Sequence, residues 1–190
     1  VLRNNWDPQF AAEALTKLAE VIEWHLKGTR YGIECNGANG LLCQGEAGHQ
    51  LTWMDAKIGD WVVTPRHGYP VEINGLWINM LGVACWLADQ LTVDHQVWKV
   101  VYEQASRSFD CFWCESRGHF LDTWSPDDAS LRPNQAIALA LPFCDVDPIR
   151  ASQALNKIER FLLTPYGLRT LGPHEPGYIG RYEGDMVARD

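Results

Sequence analysis

At 190 residues, 46% hydrophobic and 21% charged, the chain has the size and composition of one globular domain able to bury a core. A formal net charge of −8 argues against nucleic acid, whose phosphates need a basic surface, and against anionic membranes. The 9 tryptophans, within an aromatic share of 11%, fit carbohydrate stacking or a large aromatic core.

No apolar run in the sequence approaches the roughly 20 residues that span a bilayer, and no signal-peptide pattern opens the chain. It begins at Val1 and stops at Arg189-Asp190, which reads as a piece of a longer protein. The cysteines at 35, 43, 85, 111, 114 and 144 are scattered, several inside helical patterns. That spread predicts free, partly buried thiols in a reducing cytosol, making the protein cytoplasmic rather than a secreted disulfide scaffold.

In chain order, Asp7-Pro8 predicts an N-cap followed by proline in the first turn. Phe10, Ala14, Leu18, Val21 and Ile22 then repeat at helical spacing, opposite Glu13, Lys17 and Glu20, until Gly28 stops the helix. Residues 29–70 are irregular and rich in glycine, with short strand segments expected near Tyr31 to Ile33 and Trp61 to Thr64. A loop of that length is more often functional than idle.

From Val71 to Leu91 apolar residues run almost all the way round a helix, which predicts an enclosed inner layer. The next helix is expected from Val93 to Glu115, amphipathic through Val97, Val101, Ala105, Phe109 and Phe112. A short helix follows Arg132-Pro133 and ends near Pro142. Asp147-Pro148 opens another through Ala151, Leu155, Ile158 and Leu162 to Pro165. The tail from Tyr166 to Asp190 reads as loop. An enclosed helix among amphipathic ones gives an all-α fold, either a barrel of helical hairpins or an ordinary bundle.

The stretch from Leu51 to Asn74 concentrates groups capable of chemistry: Asp55, Asp60, Glu72, Arg66, His67, Trp53 and Trp61. Pro65, Gly68 and Pro70 break regular structure in its middle. Carboxylates for proton transfer beside flat rings that stack on pyranoses suit a sugar site. Each residue also has a structural reading. Trp53 is a stacking platform or a core ring. Arg66, Arg132 and Asn134 hydrogen-bond a sugar or brace loops. Glu72 contacts substrate or pairs with Arg66. His67 faces the site or solvent. Cys111-Phe-Trp-Cys114 with His119 offers three ligands for a metal, but lies in an expected helix and lacks a second CxxC pair; packing is the better reading. No glycine-rich phosphate loop with a following lysine is present. The site is expected to use no metal and no cofactor.

Thr52-Trp53-Met54-Asp55 followed by Thr64-Pro65-Arg66-His67-Gly68-Tyr69-Pro70-Val71-Glu72-Ile73-Asn74 resembles the signature of the glycogen debranching enzyme family, in its C-terminal amylo-α-1,6-glucosidase domain. Leu131-Arg132-Pro133-Asn134-Gln135, Gly167-Leu168-Arg169-Thr170-Leu171 and the run from Pro176-Gly177-Tyr178 to Asp185 extend the resemblance over essentially the whole chain. It implies an (α/α)6 barrel, of which residues 1–190 are the central part of one domain and an incomplete portion. It also implies hydrolysis of α-1,6-linked glucose stubs on glycogen or another α-glucan, with inversion.

Within that resemblance Asp55 matches the general acid, whose raised pKa would come from desolvation by Trp53, Met54 and Trp61. Inversion needs a second carboxylate roughly 6.5–9.5 Å away to activate water. The family's base lies beyond the last motif seen here, with Glu72, Asp60 and Glu183 as stand-ins. Loops 29–50 and 120–132 are expected to shape the acceptor side. Two further readings stay open: a related (α/α)6 α-glycosidase acting on another glycan, and a non-catalytic glycan-binding or structural fragment. An incomplete helical ring would expose apolar faces and self-associate.

Overall fold

The computed structural model describes residues 5–181 and 183–185. Tyr182 of the last motif and the terminal Arg189-Asp190 lie outside the described residues. The fold is helix-rich: α1 (Pro8–Lys27), α2 (Val71–Leu91), α3 (Gln96–Ser108), α4 (Asn134–Leu139) and α5 (Pro148–Phe161). Five two-residue strand pairs, all antiparallel, decorate the connections.

The caps read from sequence form as expected. Asp7 accepts hydrogen bonds from the Gln9 and Phe10 amides, and Asp147 from those of Ile149 and Arg150, each followed by proline in the first turn. Gly28 closes α1 at φ 85°.

α2 is the centre of the molecule, packed by α1, α3 and α4. Trp77, Ile78, Leu81, Ala84 and Leu87 are buried along it. By length and composition alone α2 could cross a membrane, contrary to the sequence expectation. Its burial among neighbouring helices makes it a core helix instead. Its polar residues stitch the preceding loop to it. Asn74 donates to the Leu42 and Pro70 carbonyls and accepts from the Leu42 amide, while Trp77 Nε1 donates to the Gly40 carbonyl at 2.8 Å. A buried amide fully partnered in this way fixes where residues 40–44 lie.

Three expectations are corrected. First, α1 buries Ala11, Leu15 and Ile22, whereas Phe10 and Val21 face outward. Second, the Tyr31–Ile33 segment is a single 3-10 turn, Arg30–Gly32, with Tyr31 at φ 62°. The strands are Glu34–Cys35 with Leu42–Cys43, and Lys57–Ile58 with Trp61–Val62. Third, α3 ends at Ser108. The chain turns through a 3-10 segment, Phe109–Phe112, into a hairpin pairing Trp113–Cys114 with His119–Phe120. The aromatic residues that prolong the helical period instead cluster across the turn, with Phe109 5.0 Å from Phe112 and 5.9 Å from Phe120. The CxxC motif therefore spans a turn and a strand, not a helix. Among the described residues no group of three or more His, Cys, Asp or Glu could hold a metal ion.

Close approach of α4 to α2 depends on Gly75, where an added Cβ would stand 2.6 Å from Ala138 Cβ and 2.9 Å from its Cα. Gly75→Ala gains about 1 kcal/mol of helix propensity, but overpacking against backbone costs about 1–3 kcal/mol. We expect a lower melting temperature than for Gly37→Ala, where the new methyl meets nothing within 4 Å. Equal melting temperatures by calorimetry would refute this account of the α2–α4 contact.

Candidate functional site

The site forms where three segments meet beside the start of α2. Gln44 and Gly68 exchange backbone hydrogen bonds at 2.9 and 2.8 Å, and Tyr69–Pro70 pairs with Thr123–Trp124. Gly68 sits at φ 90°, with an imagined Cβ only 2.2 Å from the Ser125 carbonyl oxygen, so the crossing needs glycine. The Val71 amide at the head of α2 donates to the Asp122 carbonyl at 3.1 Å.

This crossing delivers Arg66, Glu72, Asp122 and Asn134 to one buried place. The Arg66 side chain is 1% exposed, Glu72 2% and Asp122 0%. Arg66 Nε donates to Asp122 Oδ2 at 2.7 Å, and Nη2 to Glu72 Oε2 at 2.6 Å and to Asp122 Oδ1 and O at 3.2 and 3.1 Å. Its Nη1 donates to Glu72 Oε1 and to Thr52 Oγ1. Every nitrogen of the guanidinium is engaged. Burial opposes the arginine's charge, but the bonds to Glu72 and the attraction of Asp122 outweigh it and hold the group above its ordinary pKa. Burial also pushes the Asp122 carboxyl up, and Arg66, Asn134 and Arg132 offset this only in part.

The network reaches into Thr52-Trp53-Met54-Asp55. Thr52 Oγ1 accepts from Arg66 and from the Met54 amide. Trp53 Nε1 donates to Asn134 Oδ1 at 2.9 Å. Asn134 Nδ2 in turn donates to Asp122 Oδ1 at 2.7 Å and lies 3.3 Å from Met54 Sδ. The first three residues of the motif are thus tied inward, and Asp55 is left exposed. It lines an open cleft of about 600 Å³ with Trp53, Trp61, Arg132, Arg169 and Tyr178.

The residues singled out from sequence divide accordingly. Arg66, Glu72 and Asn134 come together, but as buried braces without surface on the cleft, so their substrate-contact reading gives way to the structural one. Trp53, 52% exposed, and Arg132 stand at the cleft. Arg132 Nη1 donates to the Thr170 carbonyl, and its Nε, 3.7 Å from Asp122 Oδ2, has no hydrogen-bond partner. Asp60 is exposed in the turn of the Lys57–Val62 hairpin and does not line the cleft. His67 is half-buried against Gly45, not solvated. The desolvating cover expected over Asp55 is not formed by Trp53, Met54 and Trp61, since the carboxylate is open to solvent and both rings are half exposed.

Asp122 is the residue that sequence reasoning missed. Its one local signal is an acid set within Phe120-Leu121-Asp122-Thr123-Trp124, a run too apolar for a solvated carboxylate. Its partner is 56 residues away.

In comparison with known proteins, a family model described as amylo-alpha-1,6-glucosidase matches residues 2–190. No curated protein matches the chain.

Arg66→Met leaves buried Glu72 without its cation and Asp122 with only Arg132, 3.7 Å away, a loss of about 3–5 kcal/mol. Adding Glu72→Met should restore part of that stability by removing one orphaned charge. Urea denaturation measures both, and a loss below about 1 kcal/mol for the single variant would mean the network does not hold the site.

Proposed function

The chain belongs to the amylo-α-1,6-glucosidase family, and on that premise we propose that it carries the general acid of an inverting glucosidase acting on α-1,6-linked glucose stubs of an α-glucan. The observation that carries this reading is Asp55, presented free at a cleft that it shares with Trp53 and Trp61. In the proposed step the Asp55 carboxyl gives its proton to the glycosidic oxygen as the bond from that oxygen to the anomeric carbon breaks. Water, activated by a second carboxylate roughly 6.5–9.5 Å away, attacks the opposite face.

A glucose ring stacked across the half-exposed indoles would exclude water from around Asp55 when substrate binds. The indole of Trp53 is already oriented for this by its hydrogen bond to buried Asn134.

We assign the base to none of the three stand-ins. Glu72 is buried against Arg66, Asp60 does not line the cleft, and Glu183 is exposed, 3.8 Å from Arg181. The base is assigned instead, as the resemblance implies, to sequence C-terminal to residue 190.

The same reading takes α2 and α4 as inner helices of an (α/α)6 barrel, with α1, α3 and α5 as outer ones. Support comes from the packing of α2 on α4 and from the apolar side chains left open at both edges: Phe10 and Trp24 on α1, and Ile137 on α4. Six free cysteines suit a reducing cytosol; burial lifts the thiols of Cys35 and Cys85 to about 11 and those of Cys111 and Cys144 to about 12.

Because the described cleft holds no second carboxylate among its lining residues, a glycan-binding role without catalysis is the competing reading. Glucose release from a branched limit dextrin separates the two, with this chain and a C-terminally extended version assayed side by side. Release by the extended version alone supports the proposal. Release by neither, with both folded, favours binding without catalysis. In the active version Asp55→Asn should lower turnover at least about 100-fold while leaving folding and glucan binding intact. Near-normal turnover would remove Asp55 from the mechanism.

A further inference from the structure

We propose that a second cleft, between α5 and the 113–120 hairpin, binds a phosphoryl group, as free phosphate or as a sugar phosphate. The inference is independent of the glucosidase reading and concerns a hollow lined by other residues.

Two adjoining hollows of about 250 and 460 Å³ share Ser116, Arg117, Lys157 and Phe161. A hollow of that size is suited to a small ligand rather than a long chain. One turn of spacing places Gln153, Lys157 and Arg160 along the same side of α5, where all three line the larger hollow. Arg117 reaches in from the hairpin turn, and His119 and His174 line the smaller hollow.

The charges here are unbalanced. Lys157 Nζ and the Arg160 guanidinium lie 5.8 and 5.0 Å from the centre of the Phe161 ring, and neither is paired with a carboxylate among the described residues. Of the two carboxylates that line the hollows, Glu175 is charge-paired with Arg117, and Glu115 has a neutral donor only. Glu115 accepts from the Trp113 indole at 2.5 Å, and Glu175 accepts from Arg117 and from the Leu131 amide. Arg117 also donates through Nε and Nη2 to the Ala129 carbonyl, which leaves its Nη1 uncommitted. His119 donates Nδ1–H to the Phe120 carbonyl at 2.9 Å, so its Nε2 carries the lone pair. On a chain of net charge −8, this is a local excess of cations with free donors around a concavity. Arginine and lysine together supply the fork and the point charge that phosphoryl oxygens accept. The neutral donors Gln153 and Asn156 also line the larger hollow and could meet the hydroxyls of an attached sugar.

Burial, with Arg117 and Lys157 nearby, lowers the His119 pKa. A bound anion would reverse the charge part of that effect, giving a direct readout. The test is imidazole NMR of His119 and His174 during titration with inorganic phosphate, glucose 6-phosphate and glucose at constant ionic strength. It is repeated on Lys157→Gln/Arg160→Gln, two changes on the exposed side of α5. We expect saturable shifts with phosphate or its ester, an upward shift in the His119 titration, and affinity weakened about tenfold or more in the double variant. Tighter binding of glucose 6-phosphate than of phosphate identifies an ester as ligand, and equal binding identifies the free ion. Absence of saturation, equal affinity in the double variant, or equal binding of glucose overturns the proposal. No glucose release is read, so the result stands whatever becomes of Asp55.

Discussion

The site depends on one buried cation. Arg66 holds together the carboxylates of Glu72 and Asp122, which come from a helix start and a strand end 50 positions apart in the chain. Its backbone lies at φ 45°, a left-handed conformation that costs a bulky residue on the order of 1–3 kcal/mol. The surrounding bonds over-determine it, since the Gln44 side chain holds the Arg66 carbonyl while every guanidinium nitrogen is occupied. Such a centre is weak evidence of stability, because two desolvated carboxylates must be compensated before anything is gained. Its effect is geometric. It sets the loop before α2, the strand end at Asp122 and the start of α4 in one arrangement.

That arrangement turns a sequence motif into a presentation device. Thr52, Trp53 and Met54 are each tied to the network, through Arg66 or Asn134, and the chain leaves it at Asp55. A carboxylate held at its base and free at its tip can move a proton to a ligand without the loop rearranging. Rigid positioning below and open solvent above are compatible with proton transfer only if the ligand supplies the missing cover. The half-exposed faces of Trp53 and Trp61 are where such cover would seat.

Much of the scaffold could be read from local pattern. Both Asp-Pro caps and the glycine stop at 28 depend on interactions within a few residues, so spacing was enough. The end of α3 was not legible. Phe109 and Phe112 keep the helical period, but they pack on Phe120 across a hairpin, and periodicity cannot distinguish a helix face from an aromatic cluster. The buried face of α1 was misplaced for a related reason. Its apolar residues form more than one stripe, and only the contact with α2 selects Ala11, Leu15 and Ile22.

By itself the sequence determined where the helices begin, which helix is enclosed, and that Asp55 stands in a motif that resembles a glucosidase family's, because these are properties of neighbouring residues and of order along the chain. Only the tertiary structure decided which polar residues face the cleft. Arg66 and Asn134, which the sequence left open as sugar ligands or loop braces, are buried in the network, Asp122 went unnoticed and pairs with Arg66, and Arg132 and Trp53 line the cleft. The physical reason is that a side chain's chemistry depends on what desolvates and partners it. Here Asp122 and Asn134, partners of Arg66 and Trp53, lie 56 and 81 residues along the chain from them, which local spacing does not encode.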